Sequence, residues 1–336
     1  MTPKDILVPL GLLFSSFFLL ITIYPLIPTY TLIPLLLLLL SYTGTKYVLR
    51  VSVSKLHKPL SILCYTSFAF VAIATPYFAL GWILYLLDLI GYARMVYTAL
   101  GLTIVTMVIG RVHAKNIKKV HHSIEGKPLK ICHISDLHLG VFYKKKFVER
   151  IVATIKETKP DVICITGDVF DGSGNPTEEW LESFKELDNV YTVLGNHDGY
   201  FGEEKAQRLL ESAGVNVLRN EKTMCKGYEI HGYDDKSILG GLPNLFKKPE
   251  IPSITLYHRP GPKEFIKRID TDIVLCGHTH GGQILPAGLV ILLENCFLSG
   301  FKNIDGKKLN ISQGTGTGGP PIRFGTSSEI TIITVS

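Results

Sequence analysis

The chain has 336 residues, 46% of them hydrophobic, with 35 Lys and Arg against 29 Asp and Glu and a formal net charge of +6. That content excludes a disordered chain, a collagen-like repeat and a small disulfide scaffold. Residues 1–112 hold only Lys4, Asp5, Lys46, Arg50, Lys55, Lys58, Asp88, Arg94 and Arg111, so the basic excess flanks apolar segments and does not form a nucleic-acid surface on the remainder.

Apolar runs cover Ile6–Tyr24, Tyr30–Tyr47, Leu60–Ile90 and Met95–Ile109, and a membrane helix needs about 20 such residues. The Pro25–Pro28 turn joins the first two as a hairpin, and Pro76 either kinks the third or divides it into two short helices. Four spans are predicted, with three or five as the alternatives. Lys4, then Lys46, Arg50, Lys55 and Lys58, then Arg111, Lys115, Lys118 and Lys119 all fall on one side of such an arrangement, which predicts a cytoplasmic C-terminal part. One more helix within Leu60–Ile90 would reverse that side. Asp88 lies near a span end beside Arg94 and reads as solvated at the interface. The predicted division is a transmembrane region 1–112, a basic linker 113–128 and a soluble domain 129–336, with Arg111–His122 read as a helix leaving the membrane. Six cysteines without a Cys-x-x-Cys pair read as buried thiols, not zinc ligands.

From Leu129 the pattern changes. Strands are predicted at Leu129–Ile134, Val162–Thr166, Val190–Leu194, Tyr228–Gly232, Ile254–Tyr257, Ile273–Cys276 and Ile330–Val335, with amphipathic helices at Lys145–Lys159, Glu178–Leu187, Glu203–Ala213 and Lys263–Ile269. This alternation predicts an α/β sheet structure with helices on its outer faces. Functional groups in such sheets gather beyond the carboxyl ends of strands. There the chain carries Asp136-Leu137-His138, Gly167-Asp168-Val169-Phe170-Asp171, Gly195-Asn196-His197-Asp198, His258 and Gly277-His278-Thr279-His280. Each cluster alone is common; five at five strand ends is not. Carboxylate and imidazole ligands without thiolate suit Mn, Fe or Zn. Strand alternation would send Asp136 and His138 to the same side, and His278 and His280 share that spacing. Seven or eight candidate ligands exceed the needs of one ion, and two ions suit displacement at phosphorus.

The order Asp-x-His, Gly-Asp-x-x-Asp, Gly-Asn-His-Asp, His-x-Pro and Gly-His-Thr-His resembles the calcineurin-like metallophosphoesterase superfamily, most closely its membrane-anchored branch with N-terminal transmembrane helices. The tail Gly314–Gly319, Pro321-Ile322-Arg323-Phe324-Gly325 and Glu329 is similar to that branch as well. The resemblance implies a β-sandwich flanked by helices. It also implies two divalent ions, manganese first with iron or zinc as alternatives, and a hydroxide between them that attacks phosphorus. Asp136, His138 and His280 would hold one ion, Asp168 would bridge, and Asn196, His258 and His278 would complete the other. His197 would contact the phosphoryl group or protonate the leaving oxygen, and Asp198 would orient that imidazole. Asp171 would be a supporting group. Gly261 stands where relatives often carry an acidic residue, and no ligand is lost by it.

The resemblance implies hydrolysis of phosphoester or pyrophosphate bonds and stops short of a substrate. The anchor and the apolar Leu285–Phe301 segment point toward a lipid-linked substrate at the bilayer, against which stands an ordinary buried strand for that segment. Phe142-Tyr143-Lys144-Lys145-Lys146 fits anionic headgroups or a solvated helix start. A broad phosphodiesterase or phosphatase merely tethered to the membrane is the alternative enzyme, and a metal-holding scaffold without activity the third reading. No nucleic-acid partner is predicted, and no heptad seam indicates an oligomer.

Overall fold

The computed structural model describes residues 15, 18, 19, 21–23, 57–235, 240–261, 263–293 and 297–336. The two predicted N-terminal spans therefore lie almost wholly outside the described residues. The third apolar run is one continuous helix, α1 (His57–Leu86), with Pro76 inside it. The fourth extends into α2 (Tyr92–Lys115). Both are long and apolar enough to cross a membrane. Their shared core joins Val71, Ala74 and Phe78 to Met95, Val96 and Ala99, with Leu19 and Ile23 packed against it.

Two six-stranded sheets follow. The first has the order β1 (Ile117–Ile124), β12 (Ser328–Val335), β2 (Leu129–Ile134), β3 (Val162–Thr166), β4 (Val190–Val193) and β5 (Asn216–Val217). The second runs β10 (Gly300–Ile304), β11 (Lys307–Ile311), β9 (Ile273–Cys276), β8 (Ser253–Tyr257), β7 (Tyr228–Tyr233) and β6 (Glu221–Cys225). Strands β2, β3, β4, β8 and β9 are buried almost throughout. That is why they read as continuous apolar runs without alternation. One face of each sheet meets the other through Ile131, Val162, Cys164 and Val193 against Ile230, Ile254, Leu256 and Leu275. On the outer face of the first sheet, α3 (Lys145–Thr158) presents Val148, Ile151 and Ile155 to Ile163 and Ile165. This is the expected sandwich flanked by helices.

The predicted helix from Arg111 to His122 is half wrong. α2 ends at Lys115, and Ile117–Ile124 becomes an edge strand paired in parallel with β12. The stretch given to a linker thus belongs to the sandwich. The alternation of its side chains was masked by Lys118, Lys119, His121 and His122, which an edge strand tolerates on its open side. Strands β5, β6, β10 and β11 were also unpredicted; all are short or polar and take their conformation from a neighbour.

Candidate metal centre

The strand ends converge. Asp136 and His138 follow β2, Asp168 follows β3, Asn196 follows β4, His258 follows β8, and His278 and His280 follow β9. Both sheets supply residues to one rim. The expected reason for pairing Asp136 with His138 was strand alternation, and this is corrected. Both residues lie beyond the end of β2, and Asp136, His138, Asp168, His278 and His280 all adopt left-handed backbone, with φ between 50° and 71°. Such non-glycine residues are strained by about 1–3 kcal/mol each, a cost that persists only where the surroundings impose it. The left-handed turn aims each side chain inward as the chain leaves its strand. Gly167 makes the approach possible, since a Cβ there would lie 2.7 Å from the Gly195 nitrogen.

Two triads result. In the first, His138 Nε2 lies 3.0 Å from His280 Nε2, and Asp136 Oδ1 lies 3.3 Å from His280 Nε2 and 3.8 Å from His138 Nε2. In the second, His258 Nε2 lies 3.2 Å from each of Asn196 Oδ1, His278 Nδ1 and Asp168 Oδ2. Asp168 Oδ2 is also 3.8 Å from His138 Nε2, so this carboxylate faces both groups. Separations of this size are the edges expected of ligands about 2.1 Å from one divalent ion. The donor types, carboxylate, amide and imidazole without thiolate, fit such ions equally well. All seven groups expected as ligands are thus brought together.

The surroundings prepare these atoms. The Nδ1 of His258 donates to the Thr166 carbonyl at 2.7 Å, which leaves Nε2 free as a ligand. His138 Nδ1 faces Asp171 Oδ1 at 3.3 Å, and Ser173 donates to the other Asp171 oxygen. Burial alone would lower the His138 pKa, but Asp136, Asp171 and Asp168 push it up to about 10. His258 rises to about 9 through Asp168, again against burial. His280 goes the other way, to about 4, because burial outweighs Asp136. Burial opposes ionisation of Asp168 and Asp136, yet the surrounding imidazoles hold both well below the ordinary carboxylate range.

His197 and Asp198 separate. The His197 ring stands edge-on to His138 at 4.7 Å between centroids and is partly exposed. Its Nδ1 donates to the Asp171 carbonyl at 2.9 Å. Asp198 was expected to orient that imidazole and does not. Its two oxygens accept the backbone N–H groups of Phe170 and Gly195, each at 2.9 Å, so it fastens the β4 turn to the β3 turn. Burial and the Asp168 charge push its pKa up to about 7.

Two contributors, Arg259 and Asp235, escaped the sequence reading of the site, whereas Arg323 was already marked by the family-like tail. Arg259 donates through Nε to Asp235 at 2.7 Å, and its Nη1 lies 3.0 Å from His278 Nε2. Asp234-Asp235 follows β7 as the other clusters follow their strands, so the same rule would have found Asp235. Arg323 is fully buried, and its guanidinium donates to the carbonyls of His280, Gln313, Gly314 and Gly316. It fixes the loop beneath the first triad.

The two long apolar helices reach this loop. Arg323 N donates to the Gly110 carbonyl at 2.9 Å, and Arg111 to that of Pro321 at 3.3 Å. Ala69, Ala72 and Ile73 pack with Ile284 and Ile322.

The pattern of calcineurin-like phosphoesterases matches residues 129–282. A protein of Aquifex aeolicus named only as an uncharacterized metallophosphoesterase is 34% identical over 230 residues, which cover 63% of this chain and 86% of its own length. A zebrafish (Danio rerio) transmembrane protein with metallophosphoesterase domain is 30% identical over 282 residues, 72% of this chain and 63% of its own. Phosphodiesterase YaeI of Escherichia coli is 33% identical over 168 residues, 47% of this chain and 62% of its own. The chain spans 59% of the length of its Campylobacter jejuni and Helicobacter pylori relatives.

Proposed function

The chain belongs to the calcineurin-like metallophosphoesterases, and from that premise we propose that it cleaves phosphoester or phosphoanhydride bonds of a membrane-borne, lipid-linked substrate with two divalent ions. Metal-dependent phosphoester hydrolysis is the activity of the family; the two-ion mechanism and the substrate are the proposal. The observation that carries it is Asp168, whose Oδ2 lies 3.2 Å from His258 in one triad and 3.8 Å from His138 in the other.

Asp136, His138 and His280 would hold one ion, Asn196, His258 and His278 would hold the other, and Asp168 faces both groups. Bound divalent ions, manganese first, lower the pKa of water and offset charge developing at phosphorus. His197 stands at the open side, with Nδ1 tied to the Asp171 carbonyl, so its Nε2 is the atom free to meet the phosphoryl group or protonate the leaving oxygen. Asp171 supports both His138 and His197. The apolar N-terminal region spans the membrane several times and, by the basic flanks, leaves the sandwich on the cytoplasmic side. Tethering raises the effective concentration of any substrate embedded there.

The test is hydrolysis of bis(p-nitrophenyl) phosphate by the full-length protein after chelation and Mn²⁺ addition, with metal content counted. Two ions per chain and activity restored by the metal are expected, with Asp168→Asn binding fewer ions and losing turnover. A folded protein that takes up two ions and turns over nothing would leave the scaffold reading standing.

A further inference from the structure

The sandwich docks on the flank of the helix pair, not at its tip. On α1 the contact runs from Tyr65, whose ring is 5.9 Å from that of Phe142, to Ile73, which packs with Ile284 and Ile322. On α2 it runs from Ala114, whose carbonyl accepts from Ser328, to Met107, which packs against the same cluster as Phe324. Beyond the contact, α1 has only Ala74 to Leu86 left, about 20 Å of helix at about 1.5 Å per residue. A hydrocarbon core is about 30 Å thick. The free part of the hairpin therefore falls about 10 Å short of crossing it.

The far end is marked. Trp82, Tyr85 and Tyr92 pack edge to face at 5.5–6.2 Å around the α1–α2 turn, with Asp88 exposed in it, as interfacial aromatics do. About 20 residues back from Leu86 and on from Tyr92, the near boundary falls close to Thr66 on α1 and Arg111 on α2. Basic residues stand outside that plane: Lys58 and Lys144, both exposed, then Lys115 and Lys118. Inside the plane, α2 stays apolar and exposed beside the domain at Val105, Val108 and Ile109. Ile284 and Phe324, in the cluster with Ile73 and Met107, therefore lie up to about 10 Å below that plane, with Ile322 against Gly110 close to it. From Ile284 the chain enters a short turn, Ala287–Leu293, whose Leu289, Leu292 and Leu293 are 45–64% exposed. It is not a buried strand.

The metal site lies at the boundary itself. A Cβ on Gly318 would sit 3.4 Å from His280 Nε2, and one on the adjacent Gly319 would sit 2.8 Å from the Tyr65 ring. One dipeptide separates the first triad from the helix at the level of the headgroups. Gln283 pins it by accepting the Gly318 N–H at 2.9 Å and donating to the Gly318 carbonyl at 3.0 Å.

We propose that the leucine turn Ala287–Leu293 is immersed in the acyl region of the bilayer, and that this sets the metal site at headgroup height, where it takes a phosphate carried by a lipid in the same leaflet without lifting it into water. The proposal rests on the membrane-bound hydrolase reading and names how its substrate arrives.

The test uses the full-length protein in phosphatidylglycerol nanodiscs. Leu292→Trp, with Trp82 and Trp180 replaced by Phe, reports depth without needing activity. Bromine on the acyl chains should quench at least half of its emission, and aqueous iodide almost none. The reverse pattern overturns immersion, and it does so whether or not the protein is a hydrolase. In a second arm, Leu289→Asp, Leu292→Asp and Leu293→Asp are combined. Turnover of a vesicle-borne hexadecyl p-nitrophenyl phosphodiester should fall at least tenfold, with that of soluble bis(p-nitrophenyl) phosphate held within twofold. An equal fall for both substrates would make the turn a prop for the site and overturn its role in substrate capture.

Discussion

The backbone N–H of Arg323 donates to the carbonyl of Gly110 at 2.9 Å, so a helix apolar enough to cross a membrane is bonded to the residue that holds the loop under the metal site. A Cβ at Gly110 would lie 2.7 Å from Ile322 and 3.0 Å from the Arg323 carbonyl. Gly110→Leu should therefore push this loop away from α2. Overpacking of this kind costs about 1–3 kcal/mol. The Mn²⁺ concentration for half-maximal activity is expected to rise about tenfold, with Gly110→Ala intermediate. An unchanged metal requirement in Gly110→Leu would mean that helix and loop are not coupled.

Arg323 itself satisfies the carbonyls of His280, Gln313, Gly314 and Gly316. Arg323→Met strips these largely buried acceptors of their donor. Each buried, unsatisfied group costs about 1–3 kcal/mol, though not additively. A loss of at least about 3 kcal/mol is expected, read from urea unfolding of the metal-free protein. Arg323→Lys should recover only part of it, because one ammonium cannot replace a planar fork. Full recovery by lysine would rule out the fork as the reason.

His197→Ala should leave two ions bound, since its Nδ1 is bonded to the Asp171 carbonyl and it is not among the seven expected ligands. General acid catalysis contributes about 10²–10⁴-fold. Loss of kcat should be largest for alkyl leaving groups and smallest for p-nitrophenolate, which needs no proton. Equal losses across leaving groups would assign His197 to phosphate binding alone. Asp198→Asn gives a contrasting result. It retains one acceptor for two backbone N–H groups, so thermal stability should drop and the leaving-group dependence should not change.

The imidazoles give a pH signature. His138 and His258, raised to about 10 and about 9, are protonated in the metal-free fold and stabilise it fully below their unfolded pKa of about 6.5. That contribution disappears as pH rises through about 9–10. Metal binding requires both rings neutral, so each ion displaces a proton. The increase in Tm on adding Mn²⁺ is therefore expected to grow between pH 6.5 and pH 8.5. Differential scanning fluorimetry with and without the metal measures it, and an increment that stayed flat or shrank would contradict proton displacement from these rings.

Much of the sandwich, and the residues that converge as candidate ligands, was legible in the chain. Strands buried on both faces need unbroken β-branched runs, and ligands must be His, Asp or Asn just past the strand ends; both requirements leave marks at fixed positions. Ile117–Ile124 left none that outweighed its basic residues, because an edge strand draws its order from β12. The role of Asp198 was misread because adjacency to His197 says nothing about direction: the turn points its carboxylate at Gly195 and Phe170, and Asp171, 26 residues before His197, supplies the carbonyl. The left-handed backbone at the ligands, the fork of Arg323 under His280 and the docking of the sandwich on the flank of the helix pair depend on residues far apart in the chain. Only folding sets those distances. Composition marked the helices as membrane-seeking; the contact of Ile284 and Ile322 with Ile73 is what sets how near the helix pair the candidate metal site stands.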